Sequence, residues 1–201
     1  MAINPSQRRI VEKNYSGAAR VLGGAGTGKT IVAMHRAKWL AKKVYRDSKY
    51  KILFTTFTAN LASDIWENLK KICDIEGLRQ IEVINLDAWV SNFLRSQGYE
   101  YRIVYGVELD DLWDQAFTVA SAEMGLGKDF YKDEWNKVIK PQEIDSLEAY
   151  VKAPRLGRGV RLDRKGRMAV WNVFQEMRHL MNEKRLRDAE TAMAEARYLL
   201  A

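Results

Sequence analysis

The first hundred residues alternate short apolar runs with longer segments in which apolar residues recur every three or four positions. Short runs of this kind are typical of buried strands, and the longer period is typical of helices. Strands that alternate with helices predict a parallel sheet with helices on both faces and right-handed crossovers. The predicted strands cover 18–22, 51–57 and 81–86. The helical patterns that follow them lie in 31–41, 60–75 and 89–94.

A further helix is predicted near the N-terminus. Asn4 is a favourable N-cap, Pro5 suits the first helical position, and Gln7 stands where a capping box places its second side chain. The pattern changes after Gly98, where helical spacing dominates. We therefore predict three segments, an α/β lobe over 1–97, a mainly helical subdomain over 98–186, and a helix over 187–201 that returns towards the lobe.

The helical region has its own predicted core. A long helix is expected over 164–183, and its large apolar side chains are spaced three and four positions apart, which predicts a buried stripe. These side chains are Trp171, Phe174, Met177 and Met181.

Composition narrows the class of protein. The chain has 201 residues, of which 47% are hydrophobic and 29% charged, values typical of a globular protein. A net charge of +7 favours polyanionic partners without identifying one. The single cysteine, Cys73, excludes an intramolecular disulfide and a multi-cysteine metal site, and its apolar neighbours suggest a small core residue. Neither a membrane span nor a secretory signal is visible, so we expect a cytoplasmic protein without a membrane partner.

The strongest chemical signal is the glycine-rich segment 23–30, GGAGTGKT, which matches the G-x-x-x-x-G-K-[ST] phosphate loop between a predicted strand and a predicted helix. Its backbone N–H groups would converge on phosphate oxygens at the start of the helix. Lys29 would neutralise phosphate charge as the catalytic lysine, and Thr30 would ligate Mg²⁺. A turn that serves only the chain path is the alternative, but it gives the Lys-Thr pair no role. The predicted ATP-binding residues are Gly24, Ala25, Gly26, Thr27, Gly28, Lys29 and Thr30.

Two segments beside this loop resemble the N-terminal part of superfamily I DNA helicases of the UvrD/Rep type. Residues 3–7, INPSQ, are similar to the family's adenine-reading segment, and residues 55–62, TTFTANLA, are similar to its motif Ia. The resemblance implies a RecA-like P-loop NTPase fold, ATP and Mg²⁺ as cofactors, and single-stranded or partly duplex DNA as partner. It implies that Gln7 contacts the adenine. It also implies that four residues contact single-stranded DNA, namely Thr56, Phe57, Thr58 and Asn60.

Each of these roles has a structural alternative. Gln7 would serve only the capping box with Asn4, although both roles are compatible. Thr58 would merely cap the following helix, and Phe57 would belong to the core.

The third matching segment departs from the family. Asp87 stands where the family often has a histidine, and its charge would repel phosphate, so we interpret it as a helix N-cap. The region after 98 resembles the family's accessory helical subdomain. Its loop 154–161, PRLGRGVR, makes Arg155 and Arg158 candidate nucleic-acid contacts, with a solvated charged face as the alternative.

A second acidic motif, D-E-x-Q-D in this family, does not occur in the 201 residues. We therefore predict the ATP-binding part of a helicase or translocase that lacks its second RecA-like lobe and does not turn ATP over appreciably alone. An incomplete sheet would also expose an edge through which the chain self-associates. Two alternatives are a stand-alone nucleotide-binding regulatory module and a basic nucleic-acid-binding module with a vestigial phosphate loop.

Overall fold

The computed structural model describes residues 2–201 and divides into two compact units, one ending at Trp89 and one beginning at Val90. The sequence pattern places this boundary later, between residues 97 and 98. None of the helices within 2–201 is long and apolar enough to span a membrane.

The first unit contains four helices, two strands and the first turn of a fifth helix, α5. In chain order its elements are α1 (Pro5–Glu12), α2 (Lys29–Trp39), a π-helical turn (Leu40–Val44), β1 (Ile52–Thr56), α3 (Ala59–Ile72), α4 (Ile75–Arg79), β2 (Ile81–Asn85) and the start of α5 (Leu86–Ser96). The second unit is mainly helical. Its elements after α5 are β3 (Arg102–Val104), α6 (Gly106–Phe117), a 3₁₀ turn (Ala122–Met124), α7 (Lys128–Glu134), a π-helical turn (Trp135–Ile139), α8 (Leu147–Lys152), α9 (Arg164–Glu183), β4 (Leu186–Asp188) and α10 (Ala189–Leu200).

The first unit is organised around two parallel strands. β1 pairs with β2 from Ile52 opposite Ile81 to Thr56 opposite Asn85, which confirms two of the predicted strands and their parallel direction. Each strand leads into a helix at its carboxyl end, as the alternating pattern predicts. Apolar side chains of α2, α3 and β2, with Ala41 after α2, form the core, namely Met34, Ala37, Ala41, Ile65, Leu69 and Ile81.

The predicted strand at 18–22 is wrong. These residues have no strand partner among the described residues, and β1 pairs only with β2. Val21 is 41% exposed and Leu22 is 75% exposed. A strand needs a neighbour that takes up its backbone hydrogen bonds, and an apolar run alone does not supply one.

The core of the second unit forms around α9. The predicted stripe of Trp171, Phe174, Met177 and Met181 is buried, which confirms that expectation. The rings of Trp171 and Phe174 meet edge to face, with centroids 6.3 Å apart. Such aromatic pairs add to the stabilisation that burial itself provides.

A second parallel pair was not predicted. Three-residue β3 pairs with three-residue β4, from Arg102 opposite Leu186 to Val104 opposite Asp188. A strand signal is visible at 101–105 but none at 186–188. The two strands lie far apart in the chain, so no local pattern indicates their pairing. Within the second unit, α10 contacts β3 and β4. The predicted return of the helix over 187–201 towards the first lobe stays a prediction.

One fully buried carboxylate ties several elements of the second unit together. Glu134, at the end of α7, is 0% exposed and accepts hydrogen bonds from Tyr150, Arg155 and Arg158. The Tyr150 Oη–Glu134 Oε1 and Arg158 Nε–Glu134 Oε2 distances are both 2.8 Å. Burial alone would raise the pKa of Glu134, but the hydrogen bonds from the two arginines and the tyrosine hold that pKa below its ordinary value.

Replacing Glu134 by Gln should lower the free energy of unfolding of the second unit by roughly 3–5 kcal/mol, because buried Arg155 would lose its counter-charge and Arg158 would keep only its ion pair with Asp133. Denaturant titration followed by tryptophan fluorescence measures this change. Glu148, a 79% exposed acid paired with Lys152, provides the control. Glu148→Gln should change the unfolding free energy by less than about 1 kcal/mol, and equal effects of the two variants would contradict the prediction.

The same carboxylate should give the unit an acid-dependent stability. Because the folded-state pKa of Glu134 lies below its ordinary value of 4.5, its contribution is complete above that pH. The contribution is lost as the pH falls through the lowered folded-state pKa. Unfolding free energies measured from neutral to acidic pH should therefore fall less steeply in Glu134→Gln than in the unchanged chain.

Candidate nucleotide and nucleic-acid sites

The glycine-rich segment 23–30 curls at the start of α2. Gly26 has φ of 74° and Gly28 has φ of 83°, a left-handed conformation that side chains with a Cβ rarely adopt. Gly28 is the N-cap of α2, and helical structure begins at Lys29. The loop therefore ends where the unpaired N–H groups and the positive end of a helix dipole favour an anion.

Side chains of the loop line the same turn. The Lys29 ammonium lies 2.8 Å from the carbonyl oxygen of Gly23 and 2.5 Å from that of Gly24. The Thr27 hydroxyl donates to the Gly24 carbonyl at 2.9 Å. Thr30 is exposed on the first turn of α2. An ammonium at the mouth of a curled loop, followed by a hydroxyl on the helix, fits a phosphate chain with its divalent ion.

Gln7 lies beside this loop and also caps α1. Its backbone N–H donates to Asn4 Oδ1 at 2.8 Å, and its Oε1 accepts from the Asn4 N–H at 3.0 Å, which completes the capping box. Its Nε2 donates to the carbonyl of Thr27 at 3.3 Å. The capping role is therefore confirmed, and the same side chain is also positioned against the phosphate loop.

Arg36 of α2 holds α1 in place, a role that sequence reasoning missed. Its Nη1 donates to the carbonyls of Val11 at 2.5 Å and Lys13 at 2.7 Å, at the end of α1. The guanidinium also lies over the rings of Tyr15, at 5.1 Å, and Trp39, at 4.8 Å. Arg36 thereby fixes the helix that carries Gln7 to the helix that begins at the phosphate loop. No local pattern distinguishes it from any other helical arginine.

The motif Ia segment forms the turn between β1 and α3. Thr56 is buried, and its hydroxyl donates to the Thr58 carbonyl at 2.8 Å, so Thr56 shapes the turn rather than facing a ligand. Thr58 caps α3 by accepting from the Leu61 N–H at 3.2 Å. Phe57 is 91% exposed, so the alternative that placed it in the core is wrong. Asn60 is exposed on the first turn of α3.

Two other sequence interpretations need correction. Asp87 lies inside the first turn of α5, which begins at Leu86, so it is not the N-cap of that helix. Arg155 and Arg158 have side chains only 7% and 9% exposed, and both pair with buried Glu134. Guanidinium groups committed to a buried carboxylate are not available to phosphate, and the nucleic-acid role predicted for these two arginines is not supported by their geometry.

Parallel strands, intervening helices and a curled glycine loop at a helix start are the features of an α/β P-loop fold of the RecA-like class. The UvrD/REP helicase N-terminal domain family matches residues 3–200. The chain belongs to this family.

Two curated proteins show the same relationship. DNA helicase II of Salmonella typhimurium and DNA helicase II of Escherichia coli are each 31% identical to the chain over 122 residues. Each match covers 61% of this chain and 15% of the relative, so the chain matches only a small part of the length of these curated relatives.

Replacing Gly28 by Ala should lower the free energy of unfolding of the first unit by about 1–2 kcal/mol, because the left-handed conformation is strained with a Cβ. A Cβ there would also lie 2.9 Å from Gln7 Nε2 and displace that side chain. Gly17, where a Cβ meets nothing within 4 Å, is the matched control. Denaturant titration checks the prediction, and equal unfolding free energies for Gly28→Ala and Gly17→Ala would contradict it.

Proposed function

We propose that this chain is the ATP-binding part of an ATP-dependent DNA helicase or translocase. The curled loop 23–30 at the start of α2 carries the proposal, because its positive-φ glycines and Lys29 form the phosphate site that such enzymes need. Membership in the UvrD/REP helicase family supports DNA as the partner.

Different residues of this site would bind different parts of ATP. Loop N–H groups donate hydrogen bonds to the phosphate oxygens, and Lys29 leaves the carbonyls of Gly23 and Gly24 to neutralise phosphate charge. Gln7, held beside Thr27, meets the adenine edge. Thr30 would hold Mg²⁺, which supplies charge neutralisation across the phosphates.

Turnover needs further groups. A P-loop ATPase uses acidic side chains to hold Mg²⁺ and to orient the attacking water. Among the described residues, the carboxyl ends of β1 and β2 carry Thr56 and Asn85, neither of which is a carboxylate. We therefore propose that these 201 residues bind ATP but hydrolyse it very slowly without an acidic motif and an arginine finger, whose loss alone costs about 10³–10⁵ in rate.

The DNA contact is proposed at the turn after β1. Phe57 is nearly fully exposed although burial would stabilise the fold, and an exposed aromatic ring is a stacking platform for unpaired bases. The first turn of α3, with Asn60 on its surface, offers backbone N–H and side-chain amide groups to the phosphates of single-stranded DNA.

Lys29→Ala should weaken ATP binding by roughly 10- to 100-fold, since a charge-assisted contact with phosphate is lost. Calorimetric titration with ATP and Mg²⁺ measures the affinity, and release of phosphate measures turnover, which should stay near background in the unchanged chain. Lys43→Ala removes an exposed lysine of the π-helical turn and should leave the affinity unaltered. An unchanged affinity in Lys29→Ala would exclude the assigned site.

Phe57→Ala should weaken binding of a single-stranded oligonucleotide by about 5- to 100-fold, the usual range for one base-stacking aromatic. Fluorescence anisotropy reports the affinity, and ATP binding should not change. Ile75, a 72% exposed apolar residue of α4, gives a matched control variant, Ile75→Ala. If both variants bind the strand as the unchanged chain does, the turn after β1 is not the DNA contact.

A further inference from the structure

A cavity of about 770 Å³ lies in the second unit, between α9, α10 and residues 135–145. Its volume falls in the range of small-molecule pockets. Buried Ile139, Ile144 and Met181 and half-buried Met193 form apolar parts of its wall. The cavity therefore offers a ligand an apolar surface, and it shares no residue with the phosphate loop or with the turn after β1.

Most charged side chains around the cavity are already paired. Three ion pairs line it, and each joins one base to one acid, namely Lys140–Glu190, Arg187–Glu195 and Arg197–Glu143. These pairs leave little net charge. The other two charged residues of the lining, Arg178 and Asp145, form no ion pair with any residue of the described chain. Arg178 is therefore the cation of this wall that has no paired acid.

Arg178 is held in a fixed position. Its Nη1 donates to the carbonyl of Asp145 at 2.9 Å, and its Nη2 donates to that of Ile144. Its guanidinium carbon lies 5.4 Å from the ring centre of Trp135 and 5.0 Å from that of Trp171. Burial lowers the pKa of Arg178, because a charge removed from water is destabilised. A guanidinium has five N–H donors, so donors remain for an anion after the two carbonyls are bound.

A second donor in the same wall lacks an acceptor. Trp135 is 5% exposed, and its indole Nε1 has no hydrogen-bond partner among residues 2–201. Buried polar groups in native proteins are nearly always hydrogen-bonded. The wall of the cavity thus has more donors than acceptors, and a bound anion supplies acceptors.

We propose that this cavity binds a small organic anion that has a single negative charge and an apolar, aromatic body. Arg178 binds the anionic group, and Ile139, Met181 and Met193 pack against the body. One unpaired guanidinium close to Asp145 does not neutralise several negative charges, so a nucleotide or a nucleic acid does not fit this site. The proposal goes beyond the proposed helicase function and does not depend on it.

The experiment titrates the 201-residue chain with two fluorescent dyes that share one ring system. 8-Anilinonaphthalene-1-sulfonate carries one negative charge, and N-phenyl-1-naphthylamine is the same molecule without the sulfonate. The unchanged chain should bind the anionic dye more tightly than the neutral one. Arg178→Gln should weaken binding of the anionic dye roughly tenfold, because a charge-assisted contact is lost, and should leave the affinity for the neutral dye unaltered.

A change at Asp145 should have the opposite effect. Its side chain is exposed, so Asp145→Asn removes a negative charge near Arg178 without disturbing the core. Binding of the anionic dye should become about two- to fivefold tighter, with no change for the neutral dye. Asp129, exposed on α7 and outside the cavity, provides the control. Asp129→Asn changes the net charge equally and should affect neither dye.

Two further variants separate the cavity from the rest of the unit. Ala194→Trp places an indole in the cavity from α10 and should weaken both dyes about tenfold, because it fills the space. Ala33→Trp, on an exposed position of α2, should not. Arg167 also bonds two carbonyls, those of Tyr150 and Ala153, but lies outside the cavity. Arg167→Gln should therefore leave the affinity for both dyes unchanged.

Three results would overturn the anion site. The first is that Arg178→Gln and Asp145→Asn bind the anionic dye as the unchanged chain does. The second is equal weakening of both dyes in Arg178→Gln with no gain in Asp145→Asn, which would leave Arg178 only a packing role. The third is release of the bound anionic dye by ATP or by a single-stranded oligonucleotide. Failure of the chain to bind ATP or DNA would remove the proposed helicase function and leave this site standing.

Discussion

The proposed nucleotide site of this protein depends on the backbone conformation of two glycines. Gly26 and Gly28 adopt positive φ angles that curl the chain immediately before α2, and only glycine does this without strain. Because the helix then begins at Lys29, its unpaired N–H groups, its dipole and the lysine ammonium all face the same turn. Arg36 extends this arrangement along α2, since its bonds to the end of α1 hold Gln7 beside the loop. The residues proposed to bind the phosphates and the adenine thus lie on one pair of packed helices.

A buried carboxylate holds several elements of the second unit together. Glu134 is completely buried, and hydrogen bonds from Tyr150, Arg155 and Arg158 stabilise its negative charge. A buried acid without such partners would be protonated or would destabilise the fold. The network therefore uses the conspicuous arginines of the loop as structural anchors.

Family membership and geometry together explain which side chains are left on the surface. Lys29 is held by loop carbonyls that it exchanges for phosphate in the proposed complex, and Phe57 stays exposed where a core position would stabilise it. Each of these side chains would stabilise the fold more if it packed or paired inside the protein. Exposed groups of this kind are typical of binding surfaces.

The sequence alone determined the phosphate loop, the capping box of Gln7, the parallel pair β1–β2 and the apolar stripe of α9, because each depends on residues close together in the chain or on a regular period. The tertiary structure decided what depends on distant partners. Residues 18–22 have the composition of a strand but no strand beside them among the described residues, whereas β3 and β4 pair across about eighty residues without a local signal for that pairing. The roles of Arg155 and Arg158 were open in the sequence, since an arginine in a basic loop looks the same whether it faces phosphate or a buried carboxylate. Burial of Glu134 settled that choice, because a charge removed from water must find its partner inside the fold.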